Sequence, residues 1–135
     1  ARGPLFEFLR ELQRPMNDCG GRTPFSHLWR RGAINGDWIL IHMNELTDED
    51  FHLLASLPRG TAPHVVHCPG SHRYFRHTPF QFGGLQDLGV NISVATDSLA
   101  STHSLSLLGE LRALQKTNPW LTPEQLLRTI TANPA

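Results

Sequence analysis

Cysteine is scarce in this chain: only Cys19 and Cys68 occur among 135 residues, and no CxxC pair is present. That excludes a multi-disulfide framework and a thiolate-rich zinc site. Two thiols far apart in sequence read as reduced side chains, which points to a reducing compartment and so to a cytoplasmic location. Charge of either sign is not in surplus, with Lys+Arg and Asp+Glu at 12 each. No basic stripe argues for nucleic acid, and no acidic tail argues for disorder. No apolar run approaches the roughly 18 residues of a membrane span. The glycines at 32–36 (GAING) and 83–84 form no GxxxxGK[ST] or GxGxxG loop, and no GxSxG elbow occurs.

Hydrophobic residues at 39% and charged residues at 18% suit one globular domain with a core. Leu5, Phe6, Phe8, Leu9 and Leu12 recur at helical spacing, so 4–13 reads as an amphipathic helix with Pro4 in its first turn. Pro15, Asn17, Asp18, Gly20 and Gly21 mark a loop. Thr23-Pro24 caps a short helix over 24–31, followed by a strand at 38–42. Thr47 caps a helix over 48–57, with Asp50 in a capping box that prefers the longer Glu or Gln. A strand at 64–67 leads into Pro69-Gly70, read as a turn, and a loop rich in His and aromatics. A helix over 79–88, a strand at 90–96, a helix over 104–116 and a last helix after Thr122-Pro123 complete the order. Strands alternating with helices imply a parallel sheet. The short, apolar strands imply burial on both faces. Three such strands alone would leave open sheet edges. The chain opens on Ala1 with residues that already read as helix and closes on 131–135 (TANPA) with no ending signal, so a piece of a longer protein is expected.

Three polar residues stand where apolar runs stop. His42 follows Trp38-Ile39-Leu40-Ile41, His67 follows Val65-Val66, and Asp97 follows 92–96 (ISVAT). Metal-competent residues at the carboxyl ends of successive buried strands are how (β/α) barrel enzymes place their chemistry. A carboxylate closing a buried strand must be paired, hydrogen-bonded or metal-bound. Neutral imidazole and carboxylate are ligands for Zn²⁺ and Fe²⁺, and an open coordination position activates water. This chain offers one or two of the three or four ligands such a site needs. His27, His52, His64, His72, His77 and His103 read as surface or loop residues.

At these motifs, 39–46 (ILIHMNEL), 65–72 (VVHCPGSH), 89–101 (GVNISVATDSLAS), 105–114 (LSLLGELRAL) and 129–133 (TITAN), the chain resembles the amidohydrolase superfamily. The branch is that of chlorohydrolases and cytosine-, guanine- and adenosine-type deaminases. The resemblance implies a (β/α)₈ TIM barrel, with residues 1–135 as its C-terminal portion carrying strands six to eight and their helices. It implies one divalent metal, Zn²⁺ or Fe²⁺, and a small-molecule substrate, and it allows a homo-oligomer in the complete protein. By the same resemblance Asp97 binds the metal and takes a proton from the attacking water. His42 stands with Asp97 at the metal, contacts the substrate or metal-bound oxygen and stabilises the transition state. His67 and Ser98 line the substrate side. An H-x-H pair and an H-x-x-E pair belonging to the family site do not fall within this chain. Two departures stand out: Glu45 occupies a position where many relatives carry a second His, and Ala95 replaces a Gly before TDS. The reading implied is hydrolysis of C–N bonds, by deamination of a heterocyclic or amidine-like substrate. The alternatives are dechlorination or amide hydrolysis on the same scaffold, and a non-catalytic remnant that binds partners.

Overall fold

Side-chain caps fix where the helices begin. Thr23, Thr47, Ser106 and Thr122 each accept a hydrogen bond from the backbone N–H three residues on, satisfying donors that a helix N-terminus leaves unpaired. The computed structural model describes residues 3–17, 19–58 and 60–135; Asp18, read as part of a loop, lies outside them. Along the chain run α1 (Pro4–Glu11), α2 (Pro24–Trp29), β1 (Ile39–Ile41), α3 (Asp48–Ala55), β2 (His64–His67), α4 (Pro69–Tyr74), α5 (Phe82–Asp87), β3 (Ile92–Val94), α6 (Leu107–Thr117) and α7 (Pro123–Arg128). The strands form one parallel sheet in the order β1-β2-β3, with Leu40 beside Val65 and Val65 beside Ile92.

Four expectations change. The capping box at Thr47 is complete, because one Asp50 oxygen accepts from the Thr47 N–H at 2.8 Å and the other from the Thr23 hydroxyl at 2.6 Å. Asp50 is fully buried, and the second helix holds the short side chain where it can reach. Pro69-Gly70 is not a turn but the first turn of α4, with Pro at the position that needs no N–H. The strand expected to be buried on both faces is open on one side in β1, where Ile39 and Ile41 are 63% and 59% exposed. Finally, the outer edge of β3 is not open. The Val94 N–H donates to the Thr129 carbonyl at 2.9 Å, and the Asn133 amide donates to the Ile92 carbonyl at 2.7 Å. The 129–133 segment after α7 therefore supplies partners for unpaired strand groups.

The core lies on the helix-facing side of the sheet. Val65, Ile92 and Val94 meet Leu54, Leu85, Leu111, Leu114 and Leu126 there. The period-two pleat sends alternate residues the other way, and on that side His64 Nε2 and Ser93 Oγ share a hydrogen bond of 2.7 Å. Helix α1 keeps its amphipathic pattern but buries none of it: Leu5, Phe8 and Leu12 are all more than half exposed. No helix among the described residues is long and apolar enough to cross a membrane. Leu114 is 0% exposed and Leu127, one helix on, is 51% exposed. Leu114→Ala should cost about 2–5 kcal/mol of stability, and Leu127→Ala under about 0.5 kcal/mol. Chemical denaturation of the two variants checks this, and equal losses would contradict the assigned core.

Candidate active site

The carboxyl ends of β1 and β3 bring His42 and Asp97 together. The His42 N–H continues the ladder onto the Val66 carbonyl at 2.8 Å, and the chain then turns sharply: His42 and Met43 have φ of 74° and 46°. Asp97 has φ of 61°. Left-handed backbone is costly for side chains other than glycine, least so for Asp. Strain of this kind persists only where the surroundings over-determine it, and it gathers at functional sites. The result is His42 Nε2 at 3.7 Å from Asp97 Oδ2, with both side chains partly open to solvent.

Asp97 is held from several sides. The Ser98 N–H at 2.8 Å and the Ser101 hydroxyl at 3.0 Å donate to its carboxylate, and the Ser71 hydroxyl lies near enough to act on it as well. These bonds, led by Ser71 and with His42 adding a smaller effect, hold its carboxyl below the usual range. The group is therefore ionised at neutral pH, with one oxygen facing His42. Ser98 contributes its N–H to Asp97, while its hydroxyl oxygen accepts from the Ala100 N–H at 3.3 Å.

His67 sits elsewhere. It lies on the same face of β2 as Val65, is 2% exposed, and stacks on Phe80 with ring centroids 3.9 Å apart and planes 7° from parallel. Burial, with His72 and His42 nearby, pushes its imidazole down to about 3, so it is neutral. Its Nδ1 is buried without a hydrogen-bond partner among the described residues. His72 and His77, read from sequence as surface residues, instead tie the loops together. His72 Nδ1 meets Asn44 Oδ1 at 2.9 Å and His77 Nδ1 meets Glu45 Oε1 at 3.0 Å. A cavity of about 300 Å³ lies against α4 and α6, lined by His67, His72, Arg73, Phe80 and Lys116. Neither His42 nor Asp97 lines it; that pair occupies the open carboxyl end of the sheet.

Sequence reasoning missed Ser71, Ser101 and Glu110. Ser71 and Ser101 fall inside the quoted motifs without a role of their own. Glu110 carried a readable signal: with Leu107, Leu111 and Leu114 it occupies i, i+3, i+4 and i+7, placing a carboxylate on a core-facing stripe. It is 3% exposed, and burial raises its pKa. Cys68 is buried, and burial, with the Asp97 and Glu110 carboxylates nearby, pushes the thiol up to about 11. At pH 8 that leaves about one thiolate per thousand. Iodoacetamide should therefore label the partly exposed Cys19 at least about tenfold faster than Cys68; mass mapping that found equal rates would contradict this burial.

His42 and Asp97 offer one imidazole nitrogen and one carboxylate oxygen, donors suited to Zn²⁺ or Fe²⁺. No group of three or more His, Cys, Asp or Glu that could hold a metal ion occurs among the described residues. The pair thus fits part of a coordination shell, not the whole of one.

Comparison with known proteins gives this arrangement its context. The Amidohydrolase family model matches residues 16–135. The chain is 35% identical over 122 residues to a 5-methylthioadenosine/S-adenosylhomocysteine deaminase of Pyrococcus furiosus, covering 85% of this chain and 28% of the relative. It is 30% identical over 106 residues to the aminodeoxyfutalosine deaminase of Deinococcus radiodurans, covering 78% of this chain and 24% of that protein. An adenosine deaminase from Xanthomonas campestris, solved with bound zinc, superposes with a TM-score of 0.72 at 25% identity, over 95% of this chain and 33% of that one. The chain therefore spans about a third or less of the length of these relatives. The three parallel strands and their helices are a portion of a (β/α)₈ barrel, and the chain belongs to the amidohydrolase family.

Proposed function

We propose that residues 1–135 supply strands six to eight of a metal-dependent hydrolase barrel that deaminates a heterocyclic or amidine-like small molecule. The observation that carries this reading is His42 Nε2 at 3.7 Å from Asp97 Oδ2, across the carboxyl end of β2 from one another, in a chain of this family. An amine leaving group, rather than chloride, is favoured because relatives at 30% and 35% identity are named deaminases. Zinc is the metal of choice, since imidazole and carboxylate suit it and the Xanthomonas deaminase holds it. The free thiols suit a reducing cytoplasmic setting.

A bound divalent metal lowers the pKa of a water toward neutrality. Asp97 would hold the metal and accept the proton of the attacking water, a task its ionised state suits. His42 Nε2 has no hydrogen-bond partner of its own among the described residues. It would donate to the oxygen that gains negative charge as the sp² carbon is attacked. Ser98 would act on the substrate side by holding Asp97 through its N–H. His67, packed on Phe80, would support the site rather than react.

The test is His42→Asn in the full-length protein, assayed by ammonia release from an adenosine-type nucleoside. A fall in kcat of about 10²–10³-fold, the usual loss for one positioned donor, with KM little changed, is expected. Unchanged kcat would remove His42 from the chemistry.

A further inference from the structure

Behind Asp97, the first turn of α4 and the loop after β3 meet at a single buried carboxylate. Glu110, from the first turn of α6, accepts a hydrogen bond from the Gly70 N–H at 2.5 Å. Its other oxygen lies 3.5 Å from the Thr102 hydroxyl. The next residue after Gly70 is Ser71, and the residue before Thr102 is Ser101. The Ser101 hydroxyl donates to Asp97 at 3.0 Å, and the Ser71 hydroxyl acts on the same carboxylate. Gly70 leaves the room this requires: a Cβ there would stand 2.5 Å from Glu110 Oε1 and 2.8 Å from Thr102 Oγ1.

We infer that Glu110 is a positioning residue, which clamps α4 to the 98–106 loop so that Ser71 and Ser101 hold Asp97 in its metal-facing orientation. The inference rests on the reading of Asp97 as a metal ligand. It does not place Glu110 at the metal or at the substrate. A buried carboxyl group with two hydrogen-bond partners from separate elements holds both in register, because releasing either leaves a buried polar atom unsatisfied. Partners of a metal ligand set its orientation, and losing one commonly weakens metal binding 10–100-fold.

The test measures zinc release from the zinc-loaded, full-length protein into a colorimetric chelator, well below the unfolding temperature of each variant. Glu110→Ala should accelerate release by about 10–100-fold. Glu110→Gln should stay close to the parent, because its amide oxygen still accepts from the Gly70 N–H and its NH₂ can donate to Thr102. In a Ser71→Ala/Ser101→Ala background, Glu110→Ala should add little, since the side chains it positions are gone. A contribution to overall stability alone would not produce that loss of effect. Should Glu110→Ala fail to fold, Thr102→Val removes one partner of the carboxylate at constant volume and should still speed release severalfold. Asp97→Asn separates the two claims. If it leaves release unchanged, Asp97 is not a ligand and the functional reading fails. If it speeds release while Glu110→Ala, or Thr102→Val in its place, does not, the positioning role alone is overturned.

Discussion

Asp97→Asn in the full-length protein should lower kcat by about 10²–10⁴-fold, the range for losing a positioned general base. The change keeps the shape and the left-handed backbone preference of the residue but removes the charge and the proton-accepting capacity. The Ser98 N–H can still donate to the amide oxygen, and the NH₂ in place of the other oxygen can donate to the Ser101 hydroxyl oxygen, so the fold should survive. The thermal midpoint should therefore move little, which separates a chemical loss from an unfolding one. An Asn variant retaining more than about a tenth of parental kcat would remove Asp97 from the proton transfer.

Acid should destabilise the fold steeply, and through His67. The unfolded imidazole titrates near 6.5, whereas the folded one is pushed down to about 3 by burial, with His72 and His42 adding to it. Between these values the unfolded chain binds a proton that the folded chain refuses, so stability falls as pH falls. The slope is about 1.4 kcal/mol per pH unit for this one group. His72 is shifted in the same direction and steepens the loss. Asp97, held below its usual range, contributes only below about pH 4. Urea unfolding at intervals from pH 7 to pH 4.5 reads the slope. His67→Phe, which keeps a flat ring on Phe80, should flatten it. A parental slope near zero, or a variant slope equal to the parental one, would contradict a neutral buried His67.

What the sequence revealed and what it hid divide along physical lines. Caps were legible because they act over three residues: Thr23, Thr47 and Thr122 all begin helices as expected. Apolar runs located the strands, and parallel order puts His42 and Asp97 at the same end of the sheet; their 3.7 Å approach across β2 is a feature of the fold. Helix α4 was not legible, since Gly70 follows Pro69 and the partner of the Gly70 N–H lies 40 residues on, at Glu110. The edge of β3 was hidden for the same reason, with Asn133 reaching back to Ile92. Which way His67 points was equally closed to local reasoning. One residue of pleat decides between the barrel interior and the helix layer, and the run Val65-Val66-His67 shows no alternation.

Anomalous diffraction at the zinc edge from crystals of the full-length, zinc-loaded protein tests the central claim most directly. The account predicts a metal peak within about 2.0–2.2 Å of an Asp97 carboxylate oxygen. His42 Nε2 should face the same open coordination space. A peak elsewhere, or none near the carboxyl ends of β1 and β3, would contradict it.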